Sequence, residues 1–236
     1  MGLAACGDGA GSEATASSEP IAPIAAPAGT SWLETAAETP EGGILLGNPD
    51  APVKLVEYVS LTCPACAAFA AEAAEELRQD YVSTGVVSYE LRHQVHNGID
   101  LALVRLTRCG TDPAAVMPLA EQVWANLQQI MGPVQQNPQL MESAMSQPEE
   151  QRFVALAQNL GLVDFFAARG IASDQQVQCL SDFQSLQTIA DRSDRQSEEL
   201  NVTGTPTFFL HGRLVELSND PVWPQVERAL QNAGAR

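Results

Sequence analysis

Two cysteines, in the order Cys63-Pro64-Ala65-Cys66, sit where one hydrophobic period gives way to another, and this junction limits the folds open to the chain. Before it, Val53-Lys54-Leu55-Val56-Glu57-Tyr58-Val59 is β-branched and apolar once Glu57 is set aside, which predicts a buried strand. After it, Cys66, Phe69 or Ala70, Ala73, Leu77 and Tyr81 recur at steps of three and four, the stripe of a helix that Gly85 would stop. Pro64 suits the first helical position, where a missing N–H costs nothing, so Cys63 falls at or beside the N-cap. A thiolate there meets unpaired backbone N–H groups and the positive end of the helix dipole. Cys63 is therefore expected to be acidic, a good nucleophile and a good leaving group. Cys66, one turn on and facing inward, is placed to open or close a disulfide with it.

A second chemistry competes for the same residues. A Cys-x-x-Cys can be half of a zinc site, and His93-Gln94-Val95-His96 offers a second half. Structural zinc pairs usually sit on tight knuckles, whereas this pair opens a long alanine-rich helix directly after a strand, which favours redox chemistry over metal. The two histidines otherwise read as loop residues making surface hydrogen bonds, on the side where Cys63 emerges.

Taken together, Glu57, Cys63 and Cys66, with Gly204-Thr205-Pro206-Thr207-Phe208-Phe209 far downstream, resemble the thioredoxin superfamily, and within it the DsbA-like thiol-disulfide oxidoreductases. The resemblance spans most of residues 44 to 233. It implies an α/β chain with a thioredoxin fold, carrying an all-helical insertion between the third strand and the cis-proline strand. It implies Cys63 and Cys66 as the redox pair and Glu57 as a buried acid that handles the proton of Cys66. Pro206 would be cis and packed on the cysteines. Pro64, Ala65, Thr205 and Pro206 would bind substrate, with the backbone of Thr205 facing an extended peptide. The plain alternatives are an edge-strand carboxylate for Glu57 and a trans proline for Pro206.

Composition narrows the partners. A net charge of −17 over 236 residues argues against nucleic acid, whose phosphates require Lys and Arg. No run of about 18 apolar residues exists to span a bilayer. Leu3-Ala4-Ala5-Cys6-Gly7 resembles a bacterial lipobox, making Cys6 a candidate for lipidation on a chain whose leader begins upstream; the alternative is an accidental match. That leaves Cys109 and Cys179, which an oxidising compartment would favour as a bridge, as in some DsbA-like proteins with an extra disulfide in the insertion. The alternative is two separately buried small hydrophobes.

Along the chain, residues 1–40 are expected to be the lipobox-like segment and a flexible tether, with a brief helix around Trp32 and Leu33. Residues 41–96 carry the first part of the fold, from a strand near Ile44 to a third strand over 86–92. Residues 97–200 form the insertion. There, Asp112-Pro113 starts a helix with Val116, Leu119, Val123, Leu127 and Ile130 on its apolar face, and Pro148 starts another that stops at Gly161. Ser173 with Gln176, and Ser181 with Gln184, read as capping boxes. Residues 201–236 return to the sheet, with strands over 207–210 and 213–217 joined at His211-Gly212, then a helix opening at Pro221 or Pro224.

Three functions follow as expectations. The first is a dithiol oxidant in the periplasm or cell envelope, needing no organic cofactor. It would act on thiol-containing secreted polypeptides and be recycled by a quinone-linked, DsbB-like membrane oxidase. The second is a reductase or isomerase on the same fold. Ala65 stands where strong oxidants of this type carry histidine, although the N-terminal segment does not resemble the dimerisation domain of such isomerases. The third is a metal-binding or delivery module built on Cys63, Cys66 and the histidines.

Overall fold

The computed structural model describes residues 19–110 and 112–236. Among these, one six-stranded sheet runs in the order β1-β2-β4-β3-β5-β6. The strands are β1 (Ala36–Glu38), β2 (Ile44–Gly47), β3 (Val53–Val59), β4 (Val87–His93), β5 (Thr207–Leu210) and β6 (Arg213–Leu214). The apolar run before the cysteines is β3, which lies at the centre, parallel to β4 and antiparallel to β5. Val53, Leu55, Tyr58 and Val59 are all buried, as expected of a strand covered on both faces.

Helix α1 (Pro64–Glu76) begins where the sequence places it, and Cys66, Phe69, Ala73, Leu77 and Tyr81 are the buried stripe. The α pattern widens to π hydrogen bonding over Leu77–Tyr81, tightens to a 3-10 turn, and stops at Gly85. Phe69 packs on Phe208 of β5, with ring centroids 4.8 Å apart, and on Trp223, which also meets Tyr81. These rings clamp the helix between the sheet and the C-terminal helix.

Among its described residues, every regular element of the insertion between β4 and β5 is a helix. It comprises α2 (Gly98–Thr107), α3 (Val116–Ala125), α4 (Leu127–Gln136), α5 (Gln139–Met145), α6 (Glu149–Asn159), α7 (Leu162–Ala167), α8 (Ser173–Ser181) and α9 (Phe183–Leu200). A final helix, α10 (Val222–Asn232), follows Pro221. Val116, Leu119, Val123, Leu127 and Ile130 are all buried, but they belong to two helices broken at Asn126. Helix α2 has no sequence signature because its residues are buried almost all round, leaving no polar face to mark a period. Its N-cap is Asn97, whose Oδ1 accepts from the backbone N–H groups of Ile99 and Asp100.

Several local expectations are corrected. The N-terminal tether does not extend to residue 40. Ile21 N–H donates to Gly234 O (2.9 Å), Ile24 N–H to Thr84 O (2.8 Å), and Trp32 Nε1 to Ile24 O (2.7 Å), fastening residues from 21 onward to the body. Only a 3-10 turn, Trp32–Glu34, forms where a helix was expected; the next residues become β1 because the free edge of β2 supplies partners that composition does not reveal. Neither capping box forms. Ala172 is the N-cap of α8, and the Gln176 side chain turns inward to donate to Val163 O and Ile171 O. Asp182, not Ser181, caps α9, accepting from Ser185 N–H. The last strand, expected to reach residue 217, is regular over Arg213–Leu214 and adds one bond from Val215 N–H to Phe208 O (2.8 Å), after His211 and Gly212 take up successive left-handed conformations at φ 52° and 75°.

Cys109, just after α2, is joined to Cys179 of α8 by a disulfide, with Cα atoms 5.9 Å apart across a 70-residue separation. It staples the first helix of the insertion to one of its last. Cys6 lies outside the described residues. Among the described residues no helix is long and apolar enough to cross a membrane.

Candidate active site

Cys63 is the N-cap of α1, Pro64 holds the first helical position, and the Cys63 sulfur accepts from the backbone N–H of Cys66 at 3.3 Å. Both cysteines are thiols; Cys63 is half-buried and Cys66 fully buried. Pro64 and Ala65 are exposed beside Cys63. The Thr205–Pro206 bond is cis, and the Thr205 carbonyl lies 3.3 Å from the Cys63 sulfur. The fold thus brings the start of α1 and the entry to β5 into contact, although they lie far apart in sequence.

The two sulfurs have opposite acidities. The Cys63 thiol is lowered from 9.0 to about 5, chiefly by the hydrogen bond it receives from the Cys66 thiol. Thr205 and the N–H groups of Cys66 and Ala65 add to this, while burial opposes it. Thr205 contributes through two groups of opposite effect. Its carbonyl can only accept, so it favours the Cys63 thiol; its buried hydroxyl has no other hydrogen-bond partner and is free to turn its proton toward the thiolate. Cys66 is raised well above the usual thiol range, first by its bond to Cys63, then by burial and the nearby Glu57 charge. Thiolate character therefore collects on the accessible sulfur.

Glu57 is not on an edge. It lies in β3, in register with Leu91 of β4 on one side and Phe208 of β5 on the other, and is 2% exposed. Burial raises its carboxyl from 4.5 to about 8; the Tyr89 hydroxyl, which donates to Oε2 at 2.5 Å, opposes the shift, and the Cys63 charge adds to it. A cavity of about 20 Å³ adjoins Glu57 and Tyr89 and reaches the half-buried ion pair of Arg78 and Glu121. That is roughly enough space for one water.

Sequence reasoning missed the groups that hold the loop before Cys63. Asp100 of α2, fully buried, accepts from Leu61 N–H at 2.8 Å and from His96 N–H at 3.0 Å, tying the loop after β3 to the loop after β4. Trp124 Nε1 donates to Ser60 O at 3.0 Å. An acid in the first turn of α2 was the available signal, but α2 itself had no pattern to reveal it. The histidines do not behave as a pair. His96 is exposed, its Nε2 3.3 Å from Gln94 Oε1, whereas His93 is a buried residue of β4 with neither ring nitrogen hydrogen-bonded. Among the described residues no group of three or more His, Cys, Asp or Glu side chains is arranged to hold a metal ion.

The family model described as Thioredoxin matches residues 39–231. The chain belongs to the thioredoxin family. Among solved structures, the protein-disulfide isomerase of Novosphingobium aromaticivorans is 30% identical; the match covers 79% of this chain and 94% of that one, with a TM-score of 0.72. Wolbachia pipientis alpha-DsbA1, 20% identical, covers 84% and 94% with a TM-score of 0.63, and shares the DsbA-like form of the fold with its helical insertion. A Rickettsia bellii protein named "Putative protein-disulfide oxidoreductase" is 24% identical over 194 residues, which is 82% of this chain and 66% of that protein. A like-named Rickettsia typhi protein is 25% identical over 190 residues, 80% of this chain and 62% of its own. This thioredoxin-family chain thus spans just under two thirds of these curated relatives.

Proposed function

We propose that the chain is a protein thiol-disulfide oxidoreductase acting as a dithiol oxidant in the bacterial cell envelope. One observation carries the direction: the Cys63 thiol is lowered to about 5, which stabilises the reduced protein and makes its disulfide a stronger oxidant. A substrate thiolate attacks the Cys63 sulfur of the Cys63–Cys66 disulfide, and Cys66 leaves as a thiolate. Glu57, protonated below about 8 and close enough for its charge to raise Cys66, is the acid placed to supply its proton. A second substrate thiolate attacks the substrate sulfur of the mixed disulfide and expels the Cys63 thiolate. Two electrons pass from the substrate dithiol to the protein. Pro64, Ala65, Thr205 and Pro206 form the surface that meets the substrate peptide, which is a thiol-containing secreted polypeptide.

A quinone-linked membrane thiol oxidase of the DsbB type then restores the disulfide. Lipidation of Cys6 would hold the chain at the membrane, and the Cys109–Cys179 bridge suits the same oxidising compartment.

The isomerase or reductase reading is favoured by a different observation: the solved structure at 30% identity bears the name protein-disulfide isomerase. Equilibration of Cys63/Cys66 with a glutathione redox buffer separates the two. The oxidant reading expects a potential well above thioredoxin's value of about −270 mV, and a potential at or below it overturns that reading.

A further inference from the structure

Four of the chain's twelve basic residues converge on one cavity of about 310 Å³, in a protein whose net charge is −17. Arg92 comes from the end of β4, Arg105 and Arg108 from the C-terminal end of α2, and Arg192 from α9, while the β1–β2 turn closes one side. None of the lining residues belongs to the cysteine site.

The carboxylates around these arginines leave much of their hydrogen-bonding capacity unused. Arg92 grips Glu90 at 2.7 Å, and Arg108 Nη2 donates to Gly42 O at 2.7 Å. Arg105 meets Asp182 at 3.8 Å, Arg108 meets Glu38 at 3.5 Å, and Arg192 meets the same Glu38 at 3.9 Å. Those partners are about half exposed, so each pair is loose and solvated. Arg105 Nε is buried with no hydrogen-bond partner. His93, 8% exposed, lines the same cavity with both ring nitrogens unpartnered. Gly42 in the turn admits Arg192: a Cβ there would lie 1.4 Å from its Nη1, and the backbone is left-handed at φ 74°. Polar groups buried without partners are costly, and here they belong to two residues that line one cavity.

We propose that this cavity binds a phosphate monoester or inorganic phosphate through Arg105, Arg108 and Arg192. Guanidinium forks pair with carboxylates and phosphates alike. Helices α2 and α9 present three such forks to one space, which suits a tetrahedral anion with acceptors on every side better than a planar carboxylate. The volume is at the lower end of small-ligand sites and leaves room for an ester substituent. Burial pulls the pKa of Arg105 and of Arg108 below the usual guanidinium value, so a bound dianion would offset a charge cost already present in the fold. Burial and the Arg108 charge keep the neighbouring His93 neutral, so the positive charge of the cavity is carried by the arginines.

The test is calorimetric titration of the full chain with inorganic phosphate and with glycerol 3-phosphate, at ionic strength matched with chloride. Saturable binding of either is expected, weakened at least tenfold by Arg105→Gln and several-fold by Arg192→Gln, and unchanged by Arg152→Gln outside the cavity. Arg192 is on the more exposed rim, so its variant remains informative if Arg105→Gln does not fold. Phosphate heats no different from chloride, equal binding by Arg192→Gln, or tighter binding of citrate than of either phosphate would each overturn the proposal. A reduction potential typical of a reductase would leave this result untouched, so the two readings fail separately.

Discussion

The chain carries two cysteine pairs, and their settings differ in every respect that controls sulfur chemistry. Cys63 and Cys66 lie three residues apart at a helix N-terminus, one of them half-buried and accepting a backbone N–H of the first turn. Cys109 and Cys179 are 70 residues apart, both buried between helices of the insertion, with no acidic or basic group needed to tune them. The first pair constrains almost nothing when it closes, because it spans one helical turn. The second closes a loop long enough to restrict the unfolded chain. Sequence spacing thus divides reactivity from stapling: a short loop at a helix cap gives a labile bond, and a long buried one gives a structural bond.

The largest effect expected from breaking this contrast is on activity. Cys63→Ser should reduce thiol oxidation of a fluorescent dithiol peptide by on the order of 10³-fold or more, because the attacked sulfur is gone. The double variant Cys109→Ala/Cys179→Ala should keep the rate within a few-fold of wild type. A comparable loss in both would erase the distinction. Stability should show the reverse order. Removing the long-loop pair should cost about 4 kcal/mol in the entropic model, read from urea unfolding, while Cys63→Ser/Cys66→Ser should cost far less.

Smaller effects sharpen the electrostatic side. Burial raises Glu57 from 4.5 to about 8, so folding favours its protonated form. Its contribution to stability is complete below 4.5 and is lost as the pH rises through about 8. The reduced Cys63 thiol, depressed to about 5, runs the other way: its contribution is complete above 9 and is lost as the pH falls through about 5. Glu57→Gln should therefore remove the loss of stability between pH 4.5 and 8 in the oxidised protein, where Cys63 carries no charge, by a few kcal/mol. An unchanged pH profile would mean that Glu57 is solvated. The smallest shift should come from Thr205→Val, which removes the hydroxyl facing Cys63. Thiolate absorbance at 240 nm should then titrate about one unit higher, the scale of one charge-assisted hydrogen bond.

Much of the fold was legible before any coordinates. The strand of Val53–Val59, the helix after it and the apolar stripe Cys66, Phe69, Ala73, Leu77 and Tyr81 were readable because both faces of the junction keep a clean period. What escaped was whatever lacked a local pattern: α2, apolar on nearly every side, and β1, an Ala-Ala-Glu segment that pairs only because β2 leaves an edge free. The failed capping boxes carry a related lesson. Ser173 and Gln176 have the right spacing, but Gln176 is buried and satisfies two carbonyls of the α7–α8 region instead, so tertiary hydrogen bonding overrode a local motif.

By itself, the order of amino acids determined that Cys63 caps a helix, because the cap, the proline and the preceding strand all lie within a dozen residues and act through short-range backbone forces. Only the tertiary structure decided that Glu57 holds its proton to about 8, that Thr205 faces the Cys63 sulfur, and that four arginines and His93 share one cavity. Desolvation and Coulomb interactions depend on which groups meet across the folded chain, and those distances are set by packing rather than by sequence neighbours.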